Sequence, residues 1–154
     1  MRNVLLQMIT DPVIKLDFMK AVKIITNPYT VIITFLMIII SGQHLGGFYI
    51  VYLLLALPHG GIHALFAIIG ISLLLIIYHS KTRFSIIKTV INVIAVLILI
   101  ASIFIFFYSD HEHYNYGTFY QLVPQITLIL FAFIALCFLV RNIVSFFRSP
   151  STTL

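Results

Sequence analysis

Charged side chains are nearly missing from this sequence: Asp, Glu, Lys and Arg make up 8% of 154 residues, against 62% hydrophobic ones. Soluble domains carry about 25% charged and about 45–50% apolar residues. A soluble fold of this size leaves about a third of its unfolded chain's surface exposed, and this composition has too little polar surface to cover that third. The shortage excludes a soluble enzyme and a disordered segment. Cysteine is scarcer still. The one thiol, Cys137, lies in an apolar run, which excludes an internal disulfide, a disulfide-stapled secreted domain and a membrane oxidoreductase that works with paired thiols. What remains is an integral membrane protein.

The few charges are ordered. The nine cations are Arg2, Lys15, Lys20, Lys23, Lys81, Arg83, Lys88, Arg141 and Arg148, and the four anions are Asp11, Asp17, Asp110 and Glu112. The cations form three short patches between apolar runs, with no clustered basic face and no nucleic-acid motif, so no nucleic-acid partner is expected. Such patches are topogenic.

A helical span needs about 20 mostly apolar residues. Four candidates satisfy this, at residues 24–41, 62–79, 86–108 and 119–140. The second belongs to an apolar stretch of 32 residues, 48–79, which as one helix would run about 48 Å. Pro58-His59-Gly60-Gly61 breaks it. That leaves a short half-helix at residues 48–57, lying in the interface or dipping into the bilayer where protein or water covers it. The expected fold is therefore all-α: a single polytopic domain over residues 1–154 with four transmembrane helices. The three basic patches fall on one side of such a bundle, and the other two connections hold neither Lys nor Arg. The positive-inside rule then puts both termini in the cytoplasm. Tyr49, Tyr52, Tyr108, Tyr114, Tyr116 and Tyr120 gather near the outer boundaries, as interface aromatics do.

Asp11-Pro12 reads as the cap and first residue of a helix. From there Ile14, Phe18, Met19, Val22 and Ile25 project to one side, with Asp17, Lys20 and Lys23 on the other. The pattern predicts an amphipathic interfacial helix on the inner leaflet. A cleavable signal peptide and a lipid anchor are not expected, since the first apolar run begins late, lacks a small-residue cleavage site and is followed by more spans, and no lipidation motif is present.

Polar groups inside a membrane are costly and mark candidate sites. Of six histidines, His44, His59, His63, His111 and His113 belong to the outer side and only His79 to the inner. His59 and His63 stand four apart and would share one face if helical geometry reached back to His59. With Asp110, His111, Glu112 and His113 they form a candidate set of ligands for a divalent transition metal. Haem is not expected, because residues 86–108 and 119–140 offer no axial histidine. Proton transport is equally unsupported, since no Asp or Glu lies in a span. Asn92, Gln121, Gln125 and Thr127 are further in-membrane polar points, suited to interhelical hydrogen bonds or a small wet pocket. Gly61, Ala64, Ala67 and Gly70 recur every third residue and predict a face for close helix packing.

No catalytic signature of a membrane protease, acyltransferase, phosphatase or thiol enzyme is present. The reading that follows is a small non-catalytic membrane protein acting by association with lipid, with itself or with other subunits. The natural role is an accessory or assembly subunit of a larger complex. The alternative is an outward-facing metal- or small-ligand-binding protein using the histidine cluster. The Ile-rich composition and lack of organelle targeting suit a bacterial cytoplasmic (inner) membrane.

Overall fold

The computed structural model describes residues 12–42, 46–80, 85–110 and 113–148. In chain order the elements are α1 (Pro12–Ile25), α2 (Pro28–Leu36), β1 (Ile39–Ser41), β2 (Gly46–Phe48), α3 (Tyr49–Ala56), α4 (Ile62–His79), α5 (Ser85–Tyr108) and α6 (Leu122–Arg148). One-turn 3-10 helices at Leu57–His59 and Tyr116–Phe119 precede α4 and α6. The molecule is mostly helical. The helices α4, α5 and the Leu122–Phe147 stretch of α6 are long and apolar enough to cross a membrane, and in composition and length this is a membrane protein.

Residues 24–41 depart from the expected continuous helix. Asn27 ends the run begun by α1 and caps α2, its side chain accepting from the Tyr29 amide at 3.0 Å with Pro28 at the first helical position. After nine residues α2 stops at Leu36, and the chain becomes extended. Three consecutive β-branched isoleucines, Ile38 to Ile40, fit that conformation well. β1 pairs antiparallel with β2, matching Ile39 to Phe48, Ile40 to Gly47 and Ser41 to Gly46. Hydropathy alone does not separate such a segment from a helix, because both partition out of water equally. The all-α expectation is corrected by this one small sheet.

The remaining punctuation follows the sequence closely. Gly60 takes a left-handed φ of 70°, and the chain turns there from α3 into α4. The half-helix α3 and the helix α4 thus flank the Pro58–Gly61 break. α6 runs past residue 140 to Arg148, since nothing in Arg141-Asn142 stops a helix once its end leaves the apolar layer. The expected cap residue Asp11 lies outside the described residues, as do the cations Arg2, Lys81 and Arg83. On α1 the apolar Phe18 and Met19 are exposed, beside an Asp17–Lys20 ion pair at 3.6 Å.

One core runs through the molecule, with Phe35, Ile38, Ile40, Tyr49, Leu74 and Leu99 fully buried. α4 and α5 pack most intimately. Ala64, Ala67 and Gly70 are all buried on α4. A Cβ placed on Gly70 would stand 2.7 Å from Leu99 Cδ2 and 3.1 Å from the Ala95 carbonyl oxygen of α5. The missing side chain is what allows the two backbones to approach.

Gly70→Leu therefore pushes α4 from α5 and lowers stability by about 1–3 kcal/mol or more. Gly47→Ala, where an added methyl meets nothing within 4 Å, stays within about 0.5 kcal/mol. Unfolding of both variants by denaturant in mixed micelles checks the pair; equal stability would contradict the packing assignment.

Candidate functional site

The histidine end of the molecule is built by the α3–α4 turn and the chain before α6. His59 is exposed in the 3-10 turn, its Nδ1 2.9 Å from the Leu55 carbonyl oxygen. His63 sits in the first turn of α4, where its ring packs against Phe106 at 5.2 Å between centroids and lies near Tyr49 at 6.5 Å. Its Nε2 is buried and without a hydrogen-bond partner among the described residues. Regular helix begins only after Gly61, so the four-residue spacing does not place His59 and His63 on one helical face.

Across the molecule, Asp110 is occupied by its own loop. Its two carboxylate oxygens accept from the amides of Tyr114 at 3.2 Å and Asn115 at 2.7 Å, an arrangement that shapes the turn. His113 holds a left-handed φ of 56° with its ring 4.3 Å from that of Tyr116. His44, His111 and Glu112 lie outside the described residues. Among the described residues no three of His, Cys, Asp and Glu come together.

Two of the polar residues expected inside the membrane, Asn92 and Gln125, have hydrogen-bond partners. Asn92, buried on α5, donates from Nδ2 to Asn142 Oδ1 of α6 at 2.8 Å, and Asn142 Nδ2 donates to the Phe138 carbonyl oxygen at 2.8 Å. Asn142 escapes a sequence reading that ends the last span at residue 140. Gln125 donates to the Phe119 carbonyl oxygen, and Gln121 is exposed beside Tyr120 and Gly117.

Hydroxyls matter more than the sequence suggests. Thr127 Oγ1 accepts from the Ile39 amide at 3.0 Å and donates to the Pro124 carbonyl oxygen at 2.8 Å. Thr118 Oγ1, fully buried, accepts from the Ser41 amide at 2.9 Å. Ser102 Oγ donates to the His63 carbonyl oxygen at 2.7 Å and lies 3.0 Å from Tyr49 Oη, itself fully buried. Thr127 and Thr118 thereby tie α6 and the turn before it to the extended segment, while Ser102 links α5 to α3 and α4. The signal for them was available: each is a hydroxyl in or beside an otherwise apolar run.

An apolar concavity lies between α5 and α6. It measures ≈ 520 Å³ and is walled by Phe104, Phe107, Phe119 and Phe131, with Ala132 and Ala135 on the α6 side. Ala135 is buried and Ala132 exposed. Small side chains here leave a trough where a larger residue would have filled the gap. Bulky neighbours on both helices give it walls.

No family model, curated protein or solved structure matches this chain.

Removing the Thr127 hydroxyl leaves the Ile39 amide without its acceptor in an apolar setting. Thr127→Val should cost about 1–3 kcal/mol. Thr34→Val, which loses a hydroxyl bonded only to helix carbonyls one turn back, should change little. Thermal unfolding in detergent separates the two, and a silent Thr127→Val would show that the strand amide is satisfied by other means.

Proposed function

We propose that this chain works by association, as an accessory or assembly subunit of a larger membrane complex, and that the α5–α6 trough receives a transmembrane helix of a partner subunit. The trough carries the proposal. It is lined by apolar side chains, at 100–107 in the last two turns of α5 and at 128–139 in the middle of α6, within the stretches long and apolar enough to cross a membrane. Two packed helices with small residues between them present a groove into which the side-chain ridge of a third fits. Hydrophobicity does not drive such association in lipid, so shape and close approach do the selecting.

The topology that goes with this reading has four crossings. α2 contributes about 14 Å of rise and the extended residues 38–41 about 13 Å, together close to the thickness of the hydrocarbon layer. The start of α2 adjoins the inner end of α6, where Arg141 donates to Thr26, and β1 ends beside Thr118 at the opposite end. Non-helical backbone is tolerated at membrane depth where protein covers it. Here Ile38 and Ile40 are buried, and the amides of Ile39, Ser41 and Tyr49 have acceptors at Thr127, Thr118 and Ile38. Both termini then share the cytoplasmic side of a bacterial inner membrane, with the apolar face of α1 on the inner leaflet.

Single cysteines placed in a Cys137→Ala background read the topology with a membrane-impermeant thiol reagent. Lys20→Cys and Ser145→Cys should behave alike, and Ser109→Cys oppositely. Three crossings would make Lys20→Cys label with Ser109→Cys. For association, the chain extracted in mild detergent should run with a second polypeptide, cross-linked by a photoreactive residue at position 136, which lines the same trough and is exposed. Ala132→Phe, at an exposed position, should abolish that cross-link while leaving thermal stability unchanged. A 17.5 kDa monomer, a homodimer, or a cross-link unaffected by Ala132→Phe would each overturn the proposal.

A further inference from the structure

A second cavity lies at the other end of the bundle, and its chemistry is unlike that of the trough. It measures ≈ 370 Å³, within the range of about 300–1,000 Å³ typical of small-molecule sites. Five helices contribute to its lining, α2 through its first residue, Pro28. α1 brings Lys23, α4 ends there at Ile77 and Tyr78, α5 begins there with Lys88 and Thr89, and α6 adds Arg141 and Ser145. The paired amides of Asn92 and Asn142 also line it, with Asn92 buried.

Three cations from three helices thus face one space, and no Asp or Glu is among the described residues lining it. Among the described residues, the hydrogen bonds these cations make are to neutral groups: Arg141 to the Thr26 hydroxyl and Lys88 Nζ to the Ser80 carbonyl oxygen at 3.1 Å. The nearest described carboxylate in sequence, Asp17, pairs with Lys20 on α1. The positive charge in the cavity is therefore uncompensated from within. Converging like charges repel one another, and an anion between them replaces repulsion by charge-assisted hydrogen bonds. Arginine's planar fork suits a phosphate bidentately, and lysine adds a compact point charge.

The depth agrees. Arg141 lies nineteen residues beyond Leu122 on α6, a rise of about 28 Å, and Lys88 lies twenty residues before Tyr108 on α5, about 30 Å. Both cations thus stand one hydrocarbon thickness from the opposite ends of their helices. That is the level at which lipid phosphates sit. Tyr29 and Tyr78, whose rings meet edge to face at 5.2 Å, belong to the same boundary.

We infer that this cavity is a binding site for a phosphate group, carried either by an anionic lipid headgroup or by a soluble phosphate ester. Arg141 and Lys88 grip the phosphate oxygens, Lys23 adds charge from α1, and the Asn92–Asn142 pair forms the polar floor. Occupancy joins the ends of α1, α4, α5 and α6 through one shared ion.

The full chain in uncharged detergent, at constant ionic strength set with chloride, provides the test. Thermal unfolding is followed while adding glycerol 3-phosphate, or after transfer to nanodiscs of phosphatidylcholine with and without phosphatidylglycerol. A stabilising shift with phosphatidylglycerol only identifies the lipid source; a saturable shift with glycerol 3-phosphate identifies the soluble one. Either supports the site if it depends on the cavity. Lys88→Gln with Arg141→Gln should weaken the effect by an order of magnitude or more, at about fivefold per cation. Ser145→Asp, at an exposed position, keeps every cation and supplies a competing carboxylate, so it should abolish the shift even if the double variant does not fold. No shift from either probe overturns the inference, and so does a shift of equal size in Ser145→Asp.

Discussion

Backbone hydrogen bonds cannot be left open in an apolar medium, and most features of this molecule follow from that constraint. Each unsatisfied amide or carbonyl in hydrocarbon costs several kcal/mol. α4, α5 and α6 meet the requirement within themselves, which is why long apolar runs become uninterrupted helices. The segment from α2 through β1 cannot, because its helix stops after nine residues. It draws its partners from elsewhere: β2 pairs with it, and the hydroxyls of Thr127 and Thr118 receive its amides across 88 and 77 residues of sequence. The irregular segment is consequently wrapped by the core, with Phe35, Ile38 and Ile40 fully buried.

Packing is uneven, and the unevenness bears on how the molecule works. α4 and α5 are in intimate contact because Gly70 carries no side chain against Leu99 and the Ala95 carbonyl. α5 and α6 diverge around a trough walled by phenylalanines. Toward the other end the same two helices are drawn together by the Asn92–Asn142 amide pair, and there the lining turns polar and basic. One helix pair thus presents an apolar concavity along one part of its length and a cationic one at its end. The first is apolar and selects by shape, the second is cationic and selects by charge.

Much of the helical layout was legible. The residues expected as the second span, 62–79, are those of α4, and α5 differs from its expected range by one residue at its start. Pro58 to Gly61 announced the break, with Gly60 supplying the left-handed turn. Gly70 was readable as a packing position because small residues at helical spacing have few other uses in lipid. The candidate ligands were less legible. Asp110 proved to be committed to the amides of Tyr114 and Asn115, and His59 to a carbonyl in its own turn. A list of donor atoms says nothing about which of them the local backbone has already claimed.

Hydropathy and the position of charges belong to each residue independently of the fold, so the sequence by itself determined the membrane class, the long helices, the breaks between them and the banding of cations. The tertiary structure decided everything that depends on groups meeting across the chain. It turned residues 39–41 into a strand, since Thr118 and Thr127 stood ready to accept its amides. It matched Asn92 with Asn142, fifty residues away. It also changed the meaning of the scarce charge with which the sequence begins. Lys23, Lys88 and Arg141 read as three separate anchors along the chain, yet they line one cavity, because antiparallel helices of equal span return their charged ends to the same place.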